Sequence, residues 1–435
     1  MLRNKIIKYE QFGSKLPRFS LCSIKILLLL LLSVTACNEP LENSNKIAKP
    51  KNILFITHTS TMGGKGVYPI YEEAKKLGHN IKIAVIPQIY YGKIIAHVDL
   101  NFASLFDAED VIFPCGKREP YEKCDNLEQY KLDYIFTQNP YEYFTGSILE
   151  NFTVSNLHKI AKVNYIVYGP HIFHQDVIDD PNLPNFVDNV FVDSDSTKDI
   201  YINNYNFPKD RVIVSGYQPY KSIRSLKEKS WGGQKETILY MPRWLMTFKG
   251  RDKHEGGGTF LNYHYFFYNF AKKNPQIEFI FRPHILWYNH AIEGEYLGKN
   301  DLDAIIEKFR ALPNLTISSH VNVPLIEDIL KSDIVIGEGS SALAEVIIAD
   351  KPIIYLSNGA NIEFESNALS KELKKHVFLA YDPGDIKQYM EFIRQNDYIP
   401  NTFEDGKMLD RQEFKRMLDP VENPGKFIAE YLLYN

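Results

Sequence analysis

Three short polar segments in the second half of the chain carry groups that bind phosphate, and each follows an apolar run. Arg243 follows residues 239–241, and Arg282-Pro283-His284 follows residues 279–281. The third segment, residues 337–341, contains two glycines and ends in Ser340-Ser341. Arginine bonds phosphate bidentately, while serine hydroxyls and the N–H groups at a helix start donate hydrogen bonds to anions. Three such segments at the ends of successive strands predict a site in which they bind a diphosphate together.

Each segment alone has a simpler interpretation. Residues 337–341 stand where a strand passes into a helix, which is typical of an ordinary βαβ crossover with a serine N-cap. An Arg-Pro-His triplet at a strand end is also commonly structural. The phosphate interpretation therefore depends on the three segments lying on neighbouring strands of one sheet.

The elements that must position these segments alternate between strand and helix patterns. Residues 53–56 read as a buried strand, Val67 to Leu77 as a helix with Gly78 as its C-cap, and residues 81–86 as the next strand. The glycine loop before that helix lacks both nucleotide-binding signatures, so it is expected to face an acceptor. Further short apolar runs recur at 111–113, 134–136, 165–168, 189–192, 212–215, 237–241, 277–281, 315–317 and 334–336.

This alternation predicts an α/β fold made of two Rossmann-like, doubly wound parallel-sheet domains that face a cleft. Residues 216–230 lose their periodicity and turn basic, which suggests a linker between the halves. The predicted boundaries are an anchor and tether at 1–50, an acceptor domain at 51–222, a donor domain at 233–408 and a C-terminal helix at 409–435 that packs back on the first domain.

Composition limits the partners. The chain has 435 residues, 44% of them hydrophobic, and a formal net charge of −4, so it can bury a large core and has no global basic field for nucleic acid. Its four cysteines are too few for a disulfide scaffold. Cys115 and Cys124 are expected to pair only if the protein is exported.

The N-terminus carries a membrane signal. Basic residues precede an apolar block, residues 26–32, that ends in Val34-Thr35-Ala36-Cys37. This resembles a bacterial lipoprotein signal peptide, in which the cysteine becomes lipidated, so Cys37 is the predicted anchor. The block is short for a membrane span. The alternatives are an uncleaved interfacial anchor or a true start downstream of Met1. The predicted location is membrane-associated, with the catalytic domain on the cytoplasmic side.

The motif order in the second half resembles the CDP-glycerol glycerophosphotransferase family. The matching features are Tyr-x-Pro at 240–242, Arg282-Pro283-His284, and Ser340-Ser341 followed by a helix and residues 351–354. Those enzymes build teichoic-acid-like polymers and have the GT-B fold. The resemblance implies that Arg282 and His284 contact the donor diphosphate.

The same resemblance assigns the remaining donor residues. It implies that Ser340 and Ser341 bind the donor phosphates, and that Glu345, one helical turn from Ser341, reaches the ribose. Arg243 stands where the family often has threonine, and Glu338-Gly339 stand where Asp-Tyr is common. Arg243 completes the predicted donor-binding set.

The family's acceptor-side base is a histidine in a Trp-His-Gly context, and Tyr168-Gly169-Pro170-His171 is the nearest counterpart. His171 is therefore the candidate base that takes the proton of an attacking hydroxyl. His58 and His174 are the alternatives. His284 is the second candidate catalytic residue.

The predicted reaction moves glycerol phosphate, or a related group, from a nucleotide-activated donor such as CDP-glycerol to a polyol- or glycan-type hydroxyl. No metal or cofactor is predicted, because the acidic pair Asp193-Ser194-Asp195 reads as a strand end and helix cap. Two alternatives stay open: a GT-B glycosyltransferase or epimerase-like enzyme that uses a sugar nucleotide, and an exported lipoprotein binding module. The cellular compartment of the protein distinguishes an enzyme from an exported module, because nucleotide-activated donors are cytoplasmic. The charged, glycine-rich segment 249–258 is expected to be a loop over the cleft.

Overall fold

The computed structural model describes residues 49–58, 66–90, 93–121, 123–138, 149–173, 182–227, 235–244, 258–284, 286–293, 297–319, 323–357, 362–404 and 407–434. The predictions for Cys37, for His174 and for nearly all of the loop at 249–258 lie outside these residues. Within the described ranges, the search for a helix with the length and apolar character needed to cross a bilayer finds none.

The first half contains a twisted parallel sheet whose strands are apolar on both faces. Its strands, in chain order, are β1 (Asn52–Thr57), β2 (Asn80–Val85), β3 (Gln88–Tyr90), β4 (Lys93–Ala96), β5 (Val111–Ile112), β6 (Tyr134–Thr137), β7 (Lys162–Ile166), β8 (Asn189–Val192) and β9 (Val212–Val214). Among the described residues, β3 and β4 form an antiparallel hairpin and the others form one sheet in the order β5-β2-β1-β6-β7-β8-β9. Side chains covered on both faces explain why these strands read as continuous apolar runs.

The helices of the first half are α1 (Val67–Lys76), α2 (Leu100–Ala103), α3 (Val154–Leu157), α4 (Leu183–Phe186), α5 (Asp195–Asn203) and α6 (Pro219–Lys227). Short 3-10 turns occupy Glu128–Tyr130, Glu150–Phe152 and Lys209–Arg211. Helix α1 ends as its sequence predicts, because Gly78 takes the left-handed conformation, φ +83°, that terminates a helix.

Helix α6 occupies most of the described part of the predicted linker at 216–230, so this segment is helical where the sequence indicated a loss of periodicity. This helix is amphipathic: Tyr220 and Ile223 are buried while its basic side chains lie outward. Its apolar face packs against residues of both halves, including Phe173 and Leu343. The segment therefore joins the halves through packing.

The second half repeats the parallel architecture. Its strands are β10 (Thr237–Met241), β11 (Glu278–Phe281), β12 (Leu315–Ile317), β13 (Ile334–Gly337), β14 (Ile353–Leu356), β15 (Phe378–Ala380) and a small pair, β16 (Phe403–Glu404) and β17 (Lys407–Met408). The helices are α7 (Phe260–Lys273), α8 (Trp287–Glu293), α9 (Lys299–Arg310), α10 (Leu325–Lys331), α11 (Ala342–Ile348), α12 (Ala368–Lys375), α13 (Pro383–Gln395), α14 (Gln412–Leu418) and α15 (Pro424–Tyr434), with a 3-10 turn at Ile362–Glu365. The parallel sheet has the order β12-β11-β10-β13-β14-β15.

The C-terminal helix α15 returns to the first half and packs on α1. Ile428, Ala429 and Leu432 are fully buried in the same core as Ile53 and Phe55 of β1. The two helices approach closely at Gly425, where an added Cβ would lie 2.8 Å from the Pro69 carbonyl oxygen. A side chain there would push the helices apart.

A disulfide joins Cys115 and Cys124 in the segment after β5. Both cysteines are buried against the core on the opposite face of the first sheet from α15. Disulfides persist mainly in oxidising compartments.

Candidate functional site

The phosphate-binding segments of the second half end strands at the centre of its sheet. β10 and β13 are adjacent there, and the strand order reverses between them. In open parallel sheets, ligands bind beyond the carboxyl ends of the strands at such a reversal. Arg243 follows β10 and Ser341 follows β13, so the structure brings these two predicted residues to the same end of the same sheet.

The turn after β13 leads into helix α11. Ser340 Oγ accepts a hydrogen bond from the Ala342 N–H at 3.3 Å, whereas the Ser341 side chain caps no helical N–H group. The expectation that the serines cap the helix therefore holds for Ser340. Both serines are partly exposed, and the Ser341 hydroxyl remains directed toward the first half. A Cβ on Gly169 would meet Ser341 Oγ at 3.3 Å.

Gly339 leaves room for the Arg243 guanidinium. A Cβ placed on Gly339 would lie 3.4 Å from Arg243 Nη1 and 3.4 Å from the Tyr355 hydroxyl. The combination of glycine at 339 and arginine at 243 therefore brings a permanent positive charge beside the start of α11. That charge can offset an anion bound there.

Glu338 is a residue whose role sequence analysis missed. Its carboxylate is 2% exposed and accepts the Arg243 N–H and the Thr259 N–H, each at 2.6 Å. It thereby ties the end of β10 to the residue before α7. Burial raises the pKa of Glu338 to about 7, although both backbone N–H groups, the Thr259 hydroxyl and the Arg243 charge oppose the shift. The sequence signal was a carboxylate directly after a buried strand.

The raised pKa of Glu338 predicts how the stability of the protein depends on pH. A carboxyl whose pKa folding raises from 4.5 to about 7 contributes stability that is fully present below pH 4.5 and lost as the pH rises through about 7. A glutamine side chain at this position would not titrate. We therefore expect Glu338→Gln to gain about 2 kcal/mol relative to wild type in free energy of unfolding between about pH 5 and about pH 8. Urea denaturation at both pH values measures the change.

The matched control is Glu413→Gln, at an exposed position on α14. It removes a carboxyl at the surface and is measured at the same two pH values. A Glu338→Gln difference from wild type that does not change between them would show that Glu338 does not titrate in this range.

Arg282 directly follows β11, and its side chain is held by protein groups. Its side chain is buried, and it donates to Asp328 Oδ2 at 2.5 Å, to Ser318 Oγ at 3.0 Å and to the Val323 carbonyl at 2.9 Å. These contacts join the end of β11 to α10 and to the segment after β12. Arg282 thus holds the end of β11 in place. Its contact with a donor diphosphate stays a prediction.

His284 and Glu345 occupy different environments. His284 is partly exposed, and its Nδ1 accepts the Leu286 N–H at 3.2 Å. Glu345 is 2% exposed on the buried face of α11. Burial first, then the Glu345 charge, raises the pKa of Tyr217 well above its usual value. Glu345 therefore lies inside the packed junction between the halves, and its ribose contact stays a prediction.

His171 and Ser341 line one small pocket between the halves. Tyr168, Gly169 and Pro170 complete its wall. The His171 side chain is 11% exposed, its ring packs edge-on against Tyr201 at 5.7 Å, and its carbonyl accepts the Asn367 Nδ2–H at 3.0 Å. The structure therefore brings His171, the candidate base of the first half, next to Ser341, a predicted phosphate-binding residue of the second half.

His58, an alternative base, is in a less suitable setting. It follows β1, is 1% exposed, and its Nδ1 lies 3.3 Å from the Pro87 carbonyl oxygen. Burial lowers the pKa of His58 to about 4. A histidine held neutral this strongly is a weak base at neutral pH.

The Asp193-Ser194-Asp195 segment is a strand end and helix cap, as predicted. Ser194 Oγ accepts the Thr197 N–H at 3.3 Å, and Asp195 begins α5. Asp193 is different, because its carboxylate is 0% exposed and its Oδ1 lies 4.0 Å from His171 Nδ1. Sequence analysis missed this pairing. Among the described residues, no cluster of three or more His, Cys, Asp or Glu side chains could hold a metal.

Comparison with known proteins identifies the fold. No protein-family model and no curated protein sequence matches this chain. Solved structures do match, and three of them have TM-scores just above 0.5. The UDP-GlcNAc 2-epimerase of Neisseria meningitidis bound to UDP-GlcNAc has a TM-score of 0.51 at 15% identity, over 88% of this chain and 100% of that one.

Two further solved structures are similar to this chain. The UDP-GlcNAc 2-epimerase of Methanocaldococcus jannaschii has a TM-score of 0.52 at 12% identity, over 88% of this chain and 99% of that one. The wall teichoic acid polymerase TagF, soaked with CDPG, has a TM-score of 0.51 at 12% identity, over 96% and 98%. At these identities the likeness concerns the fold alone. The prediction of two Rossmann-like domains in a GT-B fold is confirmed.

Proposed function

We propose that this protein is a transferase that moves glycerol phosphate, or a related group, from a CDP-activated donor to a hydroxyl acceptor in the synthesis of a cell-envelope polymer. The observation that carries the proposal is the pocket shared by His171 and Ser341. It sets a proton acceptor on one half against a phosphate-binding turn on the other. TagF, which has the same fold, supports the choice of donor.

The chemistry assigns one task to each half. The acceptor oxygen forms a bond to the β-phosphorus of the donor, and the bond from that phosphorus to the oxygen of the CMP leaving group breaks. His171 takes the hydroxyl proton, and CMP leaves with the bonding electron pair. Arg243, Ser341 and the N–H groups at the start of α11 offset the charge that develops on the phosphates. Neither task requires a redox partner.

One observation favours a second candidate, an exported lipoprotein that keeps the fold as a binding module. The Cys115–Cys124 disulfide belongs to an oxidising compartment, whereas nucleotide-activated donors are cytoplasmic. A leader that resembles a lipoprotein signal peptide agrees with export. The alternative of a sugar-nucleotide enzyme rests on the epimerase neighbours.

A donor assay separates the three. The full-length protein, purified in detergent, is incubated with CDP-glycerol or UDP-GlcNAc, with and without a polyol-terminated acceptor, and CMP and UDP release are measured. We expect acceptor-dependent CMP release that falls about 10- to 100-fold in Ser341→Ala, the cost of a lost hydrogen bond to a charged group. The matched control is Ser104→Ala, an exposed serine after α2.

The other outcomes are equally informative. Turnover of UDP-GlcNAc alone would replace the proposal with the sugar-nucleotide enzyme. Turnover of neither donor, together with Cys115 and Cys124 that resist thiol labelling in intact cells until a reductant is added, would favour the exported binding module.

A further inference from the structure

Asp193 and His171 come from neighbouring strand ends of the first sheet. His171 lies on the loop after β7, and Asp193 is the first residue after β8, which pairs with β7 in parallel. We infer that Asp193 is a positioning residue that orients the His171 ring, so that Nδ1 faces the carboxylate and Nε2 faces the pocket shared with Ser341. The inference deepens the proposed function, because it concerns the proposed base.

The distance and the burial carry the inference. Asp193 Oδ1 lies 4.0 Å from His171 Nδ1, at the limit for an ion pair and longer than a hydrogen bond. Catalytic hydrogen bonds are commonly long without substrate and shorten when the site closes. Among the described residues, His171 is the one basic side chain within 4.0 Å of this carboxylate. A fully buried carboxylate needs such a partner.

The surroundings of Asp193 keep it available as an anion. Burial raises the pKa of Asp193 to about 6, while the Thr197 and Ser194 hydroxyls and the His171 backbone N–H oppose that shift. At neutral pH the Asp193 carboxyl group is therefore ionised in most molecules. An ionised carboxylate beside Nδ1 favours the tautomer with its proton on Nδ1 and leaves Nε2 as the acceptor.

Other titratable groups face the pair. The Tyr201 ring packs against the imidazole from α5. Tyr217 after β9 and Tyr220 on α6 are close enough to feel the Asp193 charge, and Glu345 reaches both tyrosines from α11. Burial raises the pKa of both tyrosines well above its usual value, so they stay neutral while Asp193 and His171 titrate. The Glu345 carboxylate therefore acts on the same two tyrosines as the Asp193 carboxylate.

The test is an NMR titration of the His171 ring in the full-length protein, with ¹⁵N-labelled histidine and the ring signals assigned by His171→Gln. In Asp193→Asn we expect the titration midpoint to fall by about 1 pH unit or more, and the neutral ring to lose its preference for the Nδ1–H tautomer. Asp193→Glu, which keeps the charge, should restore most of the midpoint. Asp195→Asn, an exposed change in the same tripeptide, should leave it unaltered.

An unchanged midpoint and tautomer in a folded Asp193→Asn variant would overturn the inference. If that variant does not fold, the wild type decides, because coupled groups titrate together. The His171 ring shifts should then show two inflections, and a single independent titration would contradict the pairing. The titration needs no donor, so it can succeed even if the proposed transfer reaction fails.

Discussion

Replacing His171 with alanine should lower acceptor-dependent CMP release by about 10²- to 10⁴-fold, the usual contribution of a positioned general base. The ring is the imidazole that the structure sets in the pocket beside Ser341. Since the proposed base would act on the acceptor proton and not on the nucleotide, the KM for the donor should change little while kcat falls. Steady-state kinetics of CMP release at saturating acceptor measures both constants.

His158→Ala is the matched control for this change. His158 follows α3 in the same half, and its side chain is 41% exposed and near Asp188. Its loss should leave kcat within about twofold of wild type, as is typical of a surface substitution. Full turnover by a folded His171→Ala variant would show that another group accepts the proton.

Replacing Asp328 with alanine should cost about 3–5 kcal/mol of folding free energy, because it leaves the buried Arg282 guanidinium without its counter-ion. The side chains are 2% and 5% exposed, and the pair joins the end of β11 to α10. Ser318 and Val323 would still accept hydrogen bonds, but neither carries a charge. Denaturation by urea, followed by tryptophan fluorescence, measures the loss.

Glu327, the acidic residue next to Asp328, provides the control for this change. Glu327 pairs with Lys331 at 4.0 Å on the more exposed side of α10, so Glu327→Ala should cost less than about 1 kcal/mol. Replacing Arg282 and Asp328 together by methionine and leucine should recover much of the Asp328→Ala loss, since no buried charge then remains unpaired. An Asp328→Ala variant as stable as Glu327→Ala would mean that the buried pair contributes nothing to the fold.

The strands were predictable because the physics that forms them is local. A parallel strand covered on both faces needs a short apolar run, and β1, β10 and β13 are such runs. The helix between β1 and β2 was equally visible, from its apolar spacing and from Gly78. The helix within the predicted linker was missed because α6 has buried residues only at Tyr220 and Ile223 among many polar positions. Such a sparse apolar face does not stand out from a basic linker.

The site was less predictable, because its decisive contacts join residues far apart in sequence. Arg282 stood at a strand end, as a phosphate ligand would, yet its counter-ion Asp328 follows 46 residues later. Asp193 looked like part of a helix cap, and its approach to His171 depends on the pairing of β7 with β8. Local pattern identified the strand ends on which the candidate residues lie. Which of their side chains face the cleft is a tertiary property.

The return of α15 to the first half also sets the order in which the protein can fold. The core of β1 and α1 is closed by Ile428, Ala429 and Leu432, which are synthesised after the strands and the other helices of the second half. Until the ribosome has released them, the nascent first half exposes the apolar face that they cover, although its strands were made first. Completion of this core therefore waits for the synthesis of the second half.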